Sequence, residues 1–90
     1  MNFNNLTALY QYLDEQVALD ISADELFASS YLRGFISLAA SEYGDESQSL
    51  TQVLATNISE KLQAARSELT PQDRKIVQDY WAELKMAFNA

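Results

Sequence analysis

The chain has no cysteine and no histidine, and only two glycines and one proline in 90 residues. Each shortage removes a class of explanation. Without cysteine there is no disulfide staple, no thiolate nucleophile and no cysteine-based zinc or iron–sulfur site. Without histidine the usual general base near neutral pH and the commonest metal ligand are missing. So little glycine and proline fits long helices joined by short loops better than a turn-rich sheet. No apolar run approaches the roughly 20 residues that span a bilayer. The opening Met-Asn-Phe-Asn-Asn-Leu lacks the basic start and long apolar core of a signal peptide. A cytoplasmic protein with no membrane association is the expectation.

What is present reads as a single helical domain over residues 1–90, with an ordinary apolar content of 48% and charged content of 21%. The net charge of −7 is unevenly placed. Residues 1–50 hold eight acids and one base, Arg33, whereas residues 51–90 hold five of each. The N-terminal half therefore repels phosphate backbones and anionic lipid, so no nucleic-acid binding is expected. The same charge also serves simply to keep a small domain soluble.

Helical periodicity and capping signals place four helices near 5–19, 23–43, 48–67 and 71–88. In the first, Leu6, Leu9, Tyr10, Leu13 and Val17 form an apolar stripe, with Asn4 or Asn5 as cap and Tyr12 off the stripe. The second opens on a capping box, Ser22 with Glu25, and closes at Gly44. It carries the broadest apolar arc: Phe27, Tyr31, Leu32, Phe35, Ile36, Leu38, Ala39 and Tyr43. The third uses Leu50, Val53, Leu54, Ile58, Leu62 and Ala65. The fourth starts at Thr70-Pro71-Gln72-Asp73, where Thr70 caps and Pro71 takes the first helical position. Its face is Ile76, Val77, Tyr80, Trp81, Leu84 and Phe88, and Lys75 can pair with Asp79. The expected fold is all-α, a four-helix antiparallel up-down bundle with short loops or an irregular relative of it. Tyr80, Trp81 and Phe88 are expected to meet Phe27, Tyr31 and Phe35 in its core.

One feature of the second helix departs from an ordinary solvated face. Ser30, Gly34, Ser37 and Ser41 recur at helical spacing as a ridge of small residues, where Glu, Lys and Gln would propagate a helix better. The ridge is a docking surface for a partner, a serine-rich solvent face, or a close-packing face inside the domain. Arg33 beside it has no carboxylate at helix-local spacing. It either pairs with an acid on another helix or awaits one on a partner. Candidate partner-binding residues are thus Ser30, Arg33, Gly34, Ser37 and Ser41.

The run Asp24-Glu25-Leu26-Phe27-Ala28-Ser29, then Tyr31-Leu32-Arg33-Gly34, resembles the signature of the YfcL-like family of small gamma-proteobacterial proteins. The likeness is densest over residues 24–42, with weaker echoes in Leu69 to Asp73 and in Trp81. The resemblance implies an all-α fold in a bacterial cytoplasm. The family has no established activity to carry over, so it implies no reaction.

An enzyme is the least supported class. There is no glycine-rich phosphate loop, nucleophile elbow or EF-hand, and no catalytic residue, cofactor site or metal site is assigned. The acidic clusters Asp20/Asp24/Glu25 and Glu42/Asp45/Glu46 suit helix-start charge and a solvated loop better than a cation site. The leading reading is a non-catalytic protein-interaction module using the exposed side of the second helix, with an unknown protein partner or a second copy of itself. The alternatives are a carrier of a small apolar ligand between helices, and an acidic nucleic-acid mimic that binds a basic protein.

Overall fold

The computed structural model describes residues 3–19, 21–45 and 47–88. Asp20 and Glu46, members of the two acidic clusters, lie outside the described residues. Four α-helices follow in order: α1 (Leu6–Ala18), α2 (Ala23–Ala40), α3 (Gln52–Ala64) and α4 (Pro71–Leu84). Short 3₁₀ turns, Arg66–Glu68 and Lys85–Ala87, follow α3 and α4. Among the described residues there is no strand.

The helix starts lie where the capping residues put them. Asn5, Ser22, Thr51 and Thr70 each accept a hydrogen bond from the backbone N–H three residues on, satisfying an amide that the helix leaves free. The box at Ser22 is incomplete: Glu25 accepts from the Ser22 hydroxyl, 3.3 Å away. Gly44 has φ +142°, a conformation that a side chain disfavours, and it turns the chain after α2.

α3 begins four residues later than the sequence pattern predicts. Gln48 is committed to the preceding loop, where its side-chain amide donates to the carbonyls of Ala40 (3.1 Å) and Asp45 (2.9 Å). Its own carbonyl accepts from the Leu6 N–H at 3.1 Å, so one loop residue serves both the end of α2 and the start of α1.

α2 is the hub. It packs most closely on α4, then on α1 and α3, while α1, α3 and α4 touch one another only slightly among the described residues. This is the irregular relative of a bundle, measuring 32 × 30 × 19 Å. A helix with its side chains is about 10 Å across, so the short dimension holds two helix layers and leaves one side of α2 uncovered. Side-chain bonds tie the layers. Trp81 Nε1 donates to Ser59 Oγ at 2.9 Å, joining α4 to α3, and Lys61 on α3 pairs with Glu42 at 2.9 Å.

The core corrects the expected arc of α2. Its buried residues are Ala28, Ser29, Leu32, Ile36, Ala39 and Ala40. At about 100° per residue this arc is rotated by roughly 70° from the predicted one. Phe27, Tyr43 and Leu38 are exposed, Leu38 at 76%, while Tyr31 and Phe35 are half-buried. The reason is steric. Three helices converge on α2, and the small Ala28, Ser29, Ala39 and Ala40 admit them where larger side chains would hold them off.

Further corrections follow from the same packing. Trp81 and Phe88 are buried against each other, edge to face at 5.4 Å. Tyr31, Phe35 and Tyr80 pack against the same core half-buried, while Phe27 is exposed, tilted on Tyr31 at 6.0 Å, and Tyr31 stacks on Phe35 at 5.9 Å. Val17 is exposed at the end of its stripe, and Val53 is exposed between the buried Leu50 and Leu54. Tyr12 is half-buried with its ring against Phe3 at 5.2 Å.

The orientation of α2 sets two stabilities apart. Leu32→Ala is expected to cost about 2–5 kcal/mol as a core truncation, and Leu38→Ala to stay within about 0.5 kcal/mol as a surface change. Urea denaturation of the two variants checks this.

Candidate functional site

The uncovered side of α2 carries two adjacent rows. Ser30, Gly34 and Ser37 are exposed along the helix, and Ser41 is exposed at its C-terminal cap. A Cβ built on Gly34 meets nothing within 4 Å, so the ridge faces open space and is not an internal packing face. Toward α1, Ser37 and Ser41 line a dent of about 120 Å³ with Leu6, Tyr10 and Gly44. Ser41 Oγ donates to the Leu38 carbonyl at 2.7 Å. Ser29, next in sequence to the ridge, is instead buried and donates to the Leu26 carbonyl at 3.1 Å.

Arg33 does not await an acid. Its Nε donates to Asp14 Oδ1 at 2.6 Å and its Nη2 to Asp14 Oδ2 at 3.3 Å, a forked pair that ties α2 to α1. The guanidinium also lies over the Tyr10 ring, 4.8 Å from its centre. The two side chains keep 40% and 58% of their exposure, so the pair contributes little net stability in salt. Of the five candidate residues, the structure thus gathers Ser30, Gly34, Ser37 and Ser41 on one face and commits Arg33 to the fold.

The second row consists of residues that the periodicity assigns to the core. Phe27, Tyr31, Phe35 and Leu38 fall within roughly 80° of arc beside the ridge. Burial and then the Glu68 carboxylate push the Tyr31 phenol above its usual range. Two signals for this row exist in the sequence. A ridge of Ser and Gly that faces water forces the neighbouring arc partly outward, and the alanines at 28, 39 and 40 offer a second, smaller apolar arc.

A separate groove of about 470 Å³ runs between α1, α2 and α4. Tyr12, Tyr80, Asp24, Glu25, Asp79 and Glu83 line it, over Ala28 and Leu84. Burial, then Tyr12, Glu25 and Glu83, push the Tyr80 hydroxyl up to about 12. In the 45–49 loop, hydrogen bonds from Ser47 hold the Asp45 carboxyl below its usual range. Among the described residues no group of three or more acids is placed to hold a metal ion. None of the helices described is long and apolar enough to cross a membrane.

The family model described as "YfcL protein" matches residues 3–86. The chain belongs to the YfcL family. It is 42% identical over 65 residues to the "Uncharacterized protein YfcL" of Escherichia coli, covering 70% of this chain and 71% of that relative. No solved structure matches. Family membership thus agrees with the resemblance carried by the α2 motif.

The open space above Gly34 has a measurable consequence. Gly34→Ala is expected to stabilise the fold by about 0.5–1 kcal/mol, because alanine favours the helix and meets no neighbour. Thermal unfolding followed by circular dichroism reads this as a rise of several degrees in Tm.

Proposed function

We propose that the protein is a non-catalytic interaction module that docks a protein partner on the uncovered side of α2. One observation carries the reading. Phe27, Tyr31 and Phe35 follow one another ring to ring in a half-open row that ends at Leu38, 76% exposed, and the row borders a trough of small residues. Isolated apolar residues on a surface are ordinary, but a contiguous aromatic row on the hub helix of a small domain is an anchor for a partner. The Ser30–Gly34–Ser37–Ser41 trough lets a second backbone come close, at a cost in helix propensity that the fold itself does not require.

An apolar-ligand carrier has less support. The groove between α1, α2 and α4 is open to solvent and lined by four carboxylates, a poor lining for an apolar molecule.

The test is affinity capture of the tagged chain from extract of its own cell, beside the double variant Gly34→Gln/Leu38→Gln. Both positions face solvent, so the variant keeps its charge and its fold, checked by circular dichroism. A partner held by the wild type and lost from the variant is expected. Equal retention by both proteins overturns the reading.

A further inference from the structure

We infer that the groove between α1, α2 and α4 is a binding site for a free aliphatic polyamine, whose ammonium groups meet its carboxylates and whose methylenes lie along its tyrosine rings and apolar floor. The site is separate from the docking side of α2 and stands or falls without it.

The cavity is built from unlike parts. Its volume of about 470 Å³ is that of a site for a small organic molecule. The buried Ala28 and Leu84 make its floor, and the half-buried Ile76 extends it. Tyr12 brings a ring from α1 and Tyr80 one from α4. Tyr12 leans on Phe3 at 5.2 Å, and among the described residues the two tyrosine rings do not stack on each other, so the space beside them is open to a guest. Phenol rings attract a cation to their faces and cover its apolar stem.

The lining sets the sign of the guest. Asp24 and Glu25 come from the first turn of α2, Asp79 and Glu83 from α4, and no Lys or Arg lines the groove among the described residues. Lys75 offsets Asp79 at 2.7 Å, whereas Glu25 meets only the neutral Ser22 hydroxyl. Asp24, Glu25 and Glu83 enter no ion pair among the described residues. Asp24 and Glu25 suit a helix start, but Glu83 lies in the last turn of α4, where a carboxylate opposes the helix dipole. Its charge is therefore not explained by the stability of its own helix.

The spread of the charge sets the kind of cation. The acids are not gathered closely enough to hold a metal ion. A guest with one ammonium group would answer the acids of one helix and leave those of the other. A chain with two or three ammonium groups reaches both, and its methylenes cover the floor between them. A neutral apolar guest would desolvate the carboxylates without compensation, and an anion is repelled.

Isothermal titration calorimetry of the full chain with spermidine tests this, with circular dichroism confirming that each variant folds. One-to-one binding with a Kd below about 1 mM is expected at low ionic strength. Asp24→Asn/Glu83→Gln should weaken it about tenfold, while Glu15→Gln/Glu60→Gln, which removes the same charge outside the groove, should change it less than about twofold. Gly34→Gln/Leu38→Gln should bind spermidine as the wild type does, which separates this site from the docking side of α2. Equal weakening by the two charge variants overturns the inference in favour of diffuse attraction to an acidic protein. Magnesium chloride binding as tightly as spermidine overturns it in favour of a site for bare charge. N-acetyl-lysine methylamide binding as tightly overturns the polyamine in favour of a single ammonium such as a lysine side chain. Absence of spermidine binding overturns it outright.

Discussion

Three helices of this protein rest on a fourth, and the arc of α2 that receives them must be narrow and mostly small. Leu32 and Ile36 fill its centre, while Ala28, Ser29, Ala39 and Ala40 at its margins let α1, α3 and α4 approach. Among the described residues the buried side chains of all four helices form one cluster around α2, so a poor fit there is felt throughout it. The two-layer thickness of the molecule follows, and so does the bareness of the other side of α2. The half-open aromatic row is a consequence of where the small residues are.

That constraint also explains which features were legible in the sequence. Helix starts were, because a cap is a local event: Asn5, Ser22 and Thr70 each accept from the amide three residues on. The Pro71 start was legible for the same reason, whereas α2 ends at Ala40, three residues short of the 23–43 span that the pattern gives, and Gly44 turns the chain only after an intervening turn. The facing of α2 was not. Ranking its residues by apolar size points to Phe27, Tyr31, Phe35 and Leu38, but a three-way junction selects small side chains, and Ala and Ser carry little weight in a hydrophobic pattern. The partner of Arg33 was illegible too, since Asp14 lies 19 residues away on another helix and no helix-local spacing reveals it. Gln48 reads as helix in the pattern, but its carbonyl and amide are used across the loop, on Leu6 and Ala40, which no local spacing reveals.

The candidate site inherits the same division. The Ser30–Gly34–Ser37–Ser41 ridge was visible as an anomaly of composition, and its exposure in the structure removes internal packing as its reason. The row beside it came only with the facing of the helix. Together they form an uncharged strip on an otherwise acidic protein, on the helix that every other element depends on. A partner seated there would clamp the hub directly.

The absence of cysteine from the chain makes the facing of α2 directly measurable. Single variants Ser30→Cys, Leu38→Cys and Ile36→Cys carry one thiol each, and the rate of maleimide labelling of the native protein reports its exposure. Thiols at 30 and 38 should react nearly as fast as in the unfolded chain, and the thiol at 36 should react only through transient opening. A protected thiol at 38 beside a reactive one at 36 would contradict the account, because α2 would then bury the row here assigned to docking.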